Sequence, residues 1–223
     1  MKTMGLGDLH LVRPKQFPDP EATTRATGAV DVLEQAKIHD SLEAALADTV
    51  FSAALSARQR DLGPIPFEPR SGMAEIMRRA VDGPVALVFG NETSGLTNEE
   101  VMNCQCVISI PANPAFSSLN LGAAVQLLSY EARLAAYADV PDVADAKATS
   151  FSSPPATNAE VEGLYQHIEA VALASGFYNP QQPGRLFAKI RRLFSRAQLE
   201  RDEVNILRGI LASTQNKTGH GKR

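Results

Sequence analysis

Two short apolar runs, Val85-Ala86-Leu87-Val88-Phe89 and Cys106-Val107-Ile108-Ser109-Ile110, constrain this chain more than any other feature. Their apolar character is continuous rather than alternating, which predicts strands buried on both faces. Each run ends in a polar loop. The first loop is Gly90-Asn91-Glu92-Thr93-Ser94-Gly95; the second passes through Ser117-Ser118 and opens into a helix. There Leu121, Ala124, Val125 and Leu128 fall at i, i+3, i+4 and i+7, a single apolar stripe. Gly122, Ala123 and Ala124 keep the first turns slim, which suits either a ligand or close helix–sheet packing. Strand ends that face helix starts are where open α/β sheets bind small molecules. Backbone N–H groups of Gly90, Ile110 and Leu119 would converge there, and Glu92, Ser117, Ser118 and Asn120 would supply polar side chains.

The rest of the chain fits the same class. Leu9–Val12 reads as a strand closed by Arg13-Pro14, and Thr49–Leu55 as another. Helical patterns occupy Pro20–Thr27, Ser41–Ala47, with Asp40 or Ser41 as N-cap, and Ser71–Ala80. Leu62–Pro69 holds Gly63, Pro64, Pro66 and Pro69 and reads as an irregular loop. Thr97 caps a short helix carrying Glu99 and Glu100. Alternating strands and helices predict an α/β fold with a mostly parallel sheet. Residues 1–137 form this domain and 138–158 a linker rich in Ala, Asp, Ser and Pro. Residues 159–223 form a small all-helical C-terminal domain, with helices over Ala159–Ser175, Pro183–Arg196 and Asp202–Ser213.

A formal net charge of −3 argues against a nucleic-acid partner, but the charge is unevenly placed. From Arg185 to Arg223 there are ten Lys/Arg and three Asp/Glu, a local +7 that leaves −10 for the remainder. Arg185, Lys189, Arg192 and Arg196 share one helix face, opposed by Leu186, Ile190, Leu193 and Phe194. Such a face suits phosphate contact, or is simply solvated. No apolar run approaches membrane-spanning length and no signal peptide opens the chain, so a cytoplasmic location is expected. Cys104 and Cys106 make no disulfide framework, and His10, His39, His167 and His220 are scattered, so no metal site is expected.

The loop at Gly90 has the spacing of a phosphate loop, but Leu96 stands where that loop needs Lys. No GxGxxG follows the first strand, which removes a nicotinamide site. Glu92 reads as solvated surface or as a site residue beside the second loop. Ser117 and Ser118 suit two roles: one caps the helix, or a hydroxyl there holds a ligand near the positive dipole end. Arg58 and Arg60, after the Leu55-Ser56-Ala57 strand end, suit phosphate contact or plain surface.

FGNETSGL followed by IPANPAFSSLNLGAA resembles motifs two and three of the SpoU (TrmH-type) branch of the SPOUT RNA methyltransferases, and within it the tRNA ribose 2′-O-methyltransferases. The likeness extends to Leu55–Arg60 and to Lys189–Phe194 with Glu203–Leu211. It implies a trefoil knot around the two loops, a homodimer with its site at the interface, and S-adenosylmethionine as cofactor. Leu55, Ser56, Ala57, Gly90, Ile110, Ser117, Ser118 and Leu119 would then hold the cofactor. Ser118 would position the hydroxyl or the cofactor, while Glu92 and Asn120 would shape the pocket. Arg58, Arg60, Arg185, Lys189, Arg192 and Arg196 would meet RNA. The expected reaction is ribose 2′-O-methylation in the tRNA anticodon loop; the alternative is an impaired RNA-binding protein that keeps the pocket. Met1–Leu9 matches the end of the first helix in the resembling proteins. Their preceding strand and Asn/Arg motif one have no counterpart here, so weak methyl transfer is expected.

Overall fold

The computed structural model describes residues 1–58, 63–113, 115, 119–138 and 153–218. Arg60, Ser117 and Ser118 therefore lie outside the described residues, as does most of the expected linker. So does part of the second loop, around which the knot was expected.

The α/β expectation is met. In chain order the elements are β1 (His10–Val12), α1 (Pro20–Ala26), α2 (Val30–Glu34), β2 (Lys37–His39) and α3 (Leu42–Leu46). There follow β3 (Phe51–Leu55), β4 (Ile65–Phe67), α4 (Pro69–Arg79), β5 (Val85–Val88), α5 (Asn98–Met102) and β6 (Cys106–Ile108). The chain closes with α6 (Leu121–Tyr137), α7 (Asn158–Ala174), α8 (Leu186–Ala197) and α9 (Arg201–Thr218). Among the described residues four strands form a sheet in the order β4-β6-β3-β5, β1 and β2 form a separate pair, and each of these strand pairings is parallel. Ala53 and Ala54 of β3 sit beside Cys106 and Val107 on one side and Leu87 and Val88 on the other.

One face of the sheet carries Phe51, Ala53, Cys106 and Ile108 into a core with Met73 and Ile76 of α4 and Leu128 and Ala132 of α6. The other face carries Ala54 and Val88 against Leu42, Leu46, Leu96, Val101 and Cys104. Helices cover both faces, as parallel sheets require. The C-terminal unit has its own small core around Ala156, Leu164 and Val204, joined by Phe194, Leu199, Leu207 and Leu211. No described helix is long and apolar enough to cross a membrane.

Several sequence expectations are corrected. The proline-rich segment after Leu62 contains strand β4. Pro66 lies opposite Val107, and β4 is an outer strand of the sheet, where a residue without an N–H is tolerated. Strand β5 is not buried on both faces: Val88 is buried but Val85, Ala86 and Leu87 are half-buried. It stands at the opposite edge and pairs only with β3 among the described residues. Helix α6 begins at Leu121 and its cap is Asn120, not a serine; the Asn120 Oδ1 accepts the Ala123 N–H at 2.7 Å.

Candidate active site: a cleft at the strand ends

The carboxyl ends of β3, β5 and β6 and the first turn of α6 meet in one cleft of about 210 Å³. The end of β3 contributes Leu55, Ser56, Ala57 and Arg58; the β5 loop contributes Phe89, Gly90, Asn91, Glu92 and Leu96. Ile110 and Ala112 follow β6, and Leu119, Leu121 and Ala124 come from the start of α6. The structure thus brings Leu55, Ser56, Ala57, Gly90, Ile110 and Leu119 together, with the exposed Arg58 and Glu92 beside them. Asn120 is not among the lining residues; its side-chain oxygen holds the helix start.

The β5 loop is rigidly built. Asn91 Oδ1 accepts the N–H groups of Thr93 and Ser94 and the Ser94 hydroxyl at 3.1, 2.8 and 3.0 Å. The Gly95 N–H returns to the Asn91 carbonyl at 2.9 Å. Gly95 lies at φ +69°, a region where a side chain is strained. A Cβ on Gly90 would sit 2.2 Å from the Gly95 carbonyl carbon, so the chain doubles back against a bare backbone. Thr97 then starts α5 with a reciprocal capping box, donating its N–H to Glu100 at 2.7 Å while its Oγ1 accepts the Glu100 N–H at 3.2 Å.

Leu, Ala, Ile and Phe make up most of the lining, beside the polar Ser56, Arg58, Asn91, Glu92 and Ser94. That mixture suits a ligand with both apolar and polar parts. Neither cysteine offers a nucleophile: burial pushes the Cys104 thiol up to about 12 and raises that of Cys106 further. No cluster of three His, Cys, Asp or Glu side chains able to hold a metal occurs among the described residues.

A larger cleft, about 350 Å³, separates the sheet from the C-terminal helices. Two of its cations are paired, Arg79 with Glu75 at 2.8 Å and Arg191 with Glu162. On α8 the candidate phosphate ligands Arg185, Lys189 and Arg196 are exposed and Arg192 is half-buried, while Arg191 turns inward.

Comparison with known proteins agrees with this geometry. Residues 1–130, more than half of the chain, match the family model described as the SpoU rRNA methylase family. The chain belongs to the SpoU methylase family. Residues 159–223 match a second model, the C-terminal domain of the tRNA methyltransferase TrmJ. A TrmJ of Yersinia pestis strain Pestoides F, named a tRNA (cytidine/uridine-2′-O-)-methyltransferase, is 44% identical over 223 residues. That alignment spans 100% of this chain and 86% of the relative. The TrmJ of Salmonella typhimurium strain LT2 is 44% identical over 97% of this chain and 88% of its own. Among solved structures, TrmJ of Z. mobilis ZM4 superposes with a TM-score of 0.82 at 30% identity, over 96% of this chain and 90% of that one. A probable methylase family protein of Haemophilus influenzae Rd KW20 gives 0.57 at 36% identity, over 99% and 89%. Membership of this family makes the cleft at the strand ends the candidate site of methyl transfer.

Proposed function

We propose that this chain transfers a methyl group from S-adenosylmethionine to the 2′-hydroxyl of a cytidine or uridine in the anticodon loop of tRNA. The observation that carries the reading is the single cleft in which three strand ends and a helix start converge, within a chain matched along its length by tRNA 2′-O-methyltransferases. When bound, the cofactor supplies an electrophilic methyl on a sulfonium. The chain's own residues do the rest. Leu55, Ile110, Leu119 and Ala124 wall off an apolar slot, and the Gly90 turn, folded tightly on Gly95 and Leu96, closes one side of it. A ribose hydroxyl is a weak nucleophile near neutral pH, so it must be held in line and relieved of its proton. We assign the exposed Glu92 and Arg58 to the side from which RNA enters, with Ser118 as the positioning hydroxyl.

The basic face of α8 is assigned to tRNA phosphates, because Arg185 at its N-cap, Lys189, Arg192 and Arg196 follow one another about a turn apart on one side, three of the four exposed. Helix α6 supports a homodimer. Its buried side carries Ala124, Leu128 and Ala132, yet Tyr130, Leu134 and Tyr137 are exposed on the opposite side. A helix that is apolar on both sides is a buried helix, and a second copy of this chain would bury it.

The test combines methyl transfer and binding. Protein, labelled S-adenosylmethionine and a tRNA transcript should give labelled tRNA, and a transcript with a 2′-deoxy target nucleotide should not accept label. Calorimetry should show saturable binding of S-adenosylhomocysteine. Label in a base rather than a ribose, or tRNA binding with no transfer, would sink the reading.

A further inference from the structure

Arg191 sits within the basic run of α8 but faces away from the basic stripe. Its guanidinium makes a two-pronged contact with the Glu162 carboxylate of α7, through Nη1 to Oε1 and through Nη2 to Oε2 at 2.7 Å. It also lies over the ring of Tyr165, 4.4 Å from the centroid. Tyr165 in turn packs against Phe194 of α8 at 6.1 Å between centroids. No residue of α8 is fully buried; its apolar contacts are partial, with Phe194 against the small core and Phe187 edge-on to Tyr178 at 4.8 Å. The pair and the ring fix its rotation about its own axis, because a planar fork on a carboxylate and a ring face admits one orientation.

Helix α7 is itself fixed to the sheet. Gln105, just ahead of β6, accepts the Ser52 N–H and hydroxyl at 2.7 and 3.0 Å and donates to Asn158 Oδ1 at 3.4 Å. Asn158 is buried at the first position of α7. Contacts therefore run unbroken from β3 through Gln105, Asn158 and Glu162 to Arg191.

We propose that Glu162 and Arg191 are positioning residues for RNA, setting the rotation of α8 so that Arg185, Lys189, Arg192 and Arg196 face the tRNA together. This rests on the assignment of that stripe to phosphates. Burial opposes the Arg191 charge and Glu162 outweighs it, so the guanidinium stays firmly protonated. The proposal makes a prediction of unusual sign. Removing an acidic charge beside a polyanion site strengthens binding on electrostatics alone. If Glu162 holds α8 in place, removing it weakens binding instead.

The experiment measures tRNA affinity against salt for four variants, with S-adenosylhomocysteine affinity and helix content as controls for folding. Glu162→Gln and Arg191→Gln should each lose several-fold in tRNA affinity and keep cofactor-product binding. Their salt slope should be smaller by about one for every phosphate that α8 no longer reaches. The double exchange Glu162→Arg with Arg191→Glu restores the pair at unchanged net charge and should recover affinity. Glu162→Gln binding tRNA as well as or better than the parent would overturn the proposal. So would failure of the exchange to recover affinity in a folded protein, which would make Arg191 a direct RNA ligand. The fourth variant, with the stripe residues replaced by Ala, separates the two readings. If it keeps full affinity, the assignment of the stripe falls and the proposal with it. If it loses affinity while Glu162→Gln does not, the proposal alone falls.

Discussion

Gly90 shows how a single residue can set the shape of a site. The absence of a side chain there is a steric requirement of the folded loop, since a Cβ would fall 2.2–2.6 Å from Gly95 and Leu96 backbone atoms. Backbone cannot swing aside as a flexible side chain does, so Gly90→Ala must displace the whole turn that Asn91 ties down. Forced overpacking costs about 1–3 kcal/mol. Thermal melting should show a corresponding fall, and S-adenosylhomocysteine should bind more weakly, by about tenfold for every ~1.4 kcal/mol of that cost felt in the cleft. Unchanged melting and affinity would mean that the loop yields at no cost. The need for glycine here was half legible in the sequence. FGNETSGL marks a turn after a strand, but which of the two glycines is sterically pinned depends on the chain folding back on itself. Glu92 lay open between surface and site, and its place in the cleft follows only from the neighbouring strand end at Leu55–Arg58.

Elements with strong local signals were read well, the apolar runs of β3, β5 and β6 among them, and two three-residue strands without such a signal were not. Thr97 and Ser41 cap helices as their spacing indicates, Ser41 Oγ accepting the Ala44 N–H at 3.1 Å. Strand β4 was hidden because Pro66 argues against a strand unless it lies at a sheet edge, and edges are a property of the assembled sheet. Strand β2 was hidden too; only three residues long, its partner β1 lies 27 positions away. The Asn120 cap was missed because serines, also good caps, stand just before it. Helix α6 carries a prediction at this scale. Its exposed Tyr130, Leu134 and Tyr137 are 48%, 39% and 71% accessible, enough apolar surface along one line to drive association. Leu134→Glu places a charge in the middle of that line. Sedimentation should show a dimer for the parent chain and a monomer for the variant, with the helix content of each unchanged. A parent chain that sediments as a monomer at micromolar concentration removes the dimer.

For the whole molecule, the decisive question is how firmly the helical unit is held to the sheet. Part of the joint is an arrangement of helix ends. The first two N–H groups of α7, on Asn158 and Ala159, donate to the carbonyls of Thr49 and Ala47 at 2.9 and 3.3 Å, just past the end of α3. Donors at a helix start have no partner within their own helix, so here they are satisfied across the boundary between units. That makes the two amides reporters. Amide protons in the opening turn of a helix ordinarily exchange with deuterium quickly, because only water covers them. At Asn158 and Ala159, exchange must wait for the two units to part. Their protection factors therefore measure the free energy of undocking, separately from the unfolding of either unit. If the units stay docked in solution, both amides should exchange far more slowly than the first-turn amides of α8, which no side chain caps, and at rates matched to each other. Exchange as fast as in α8 would mean that the helices ride on the sheet as a loosely tethered arm, free to meet tRNA from more than one direction.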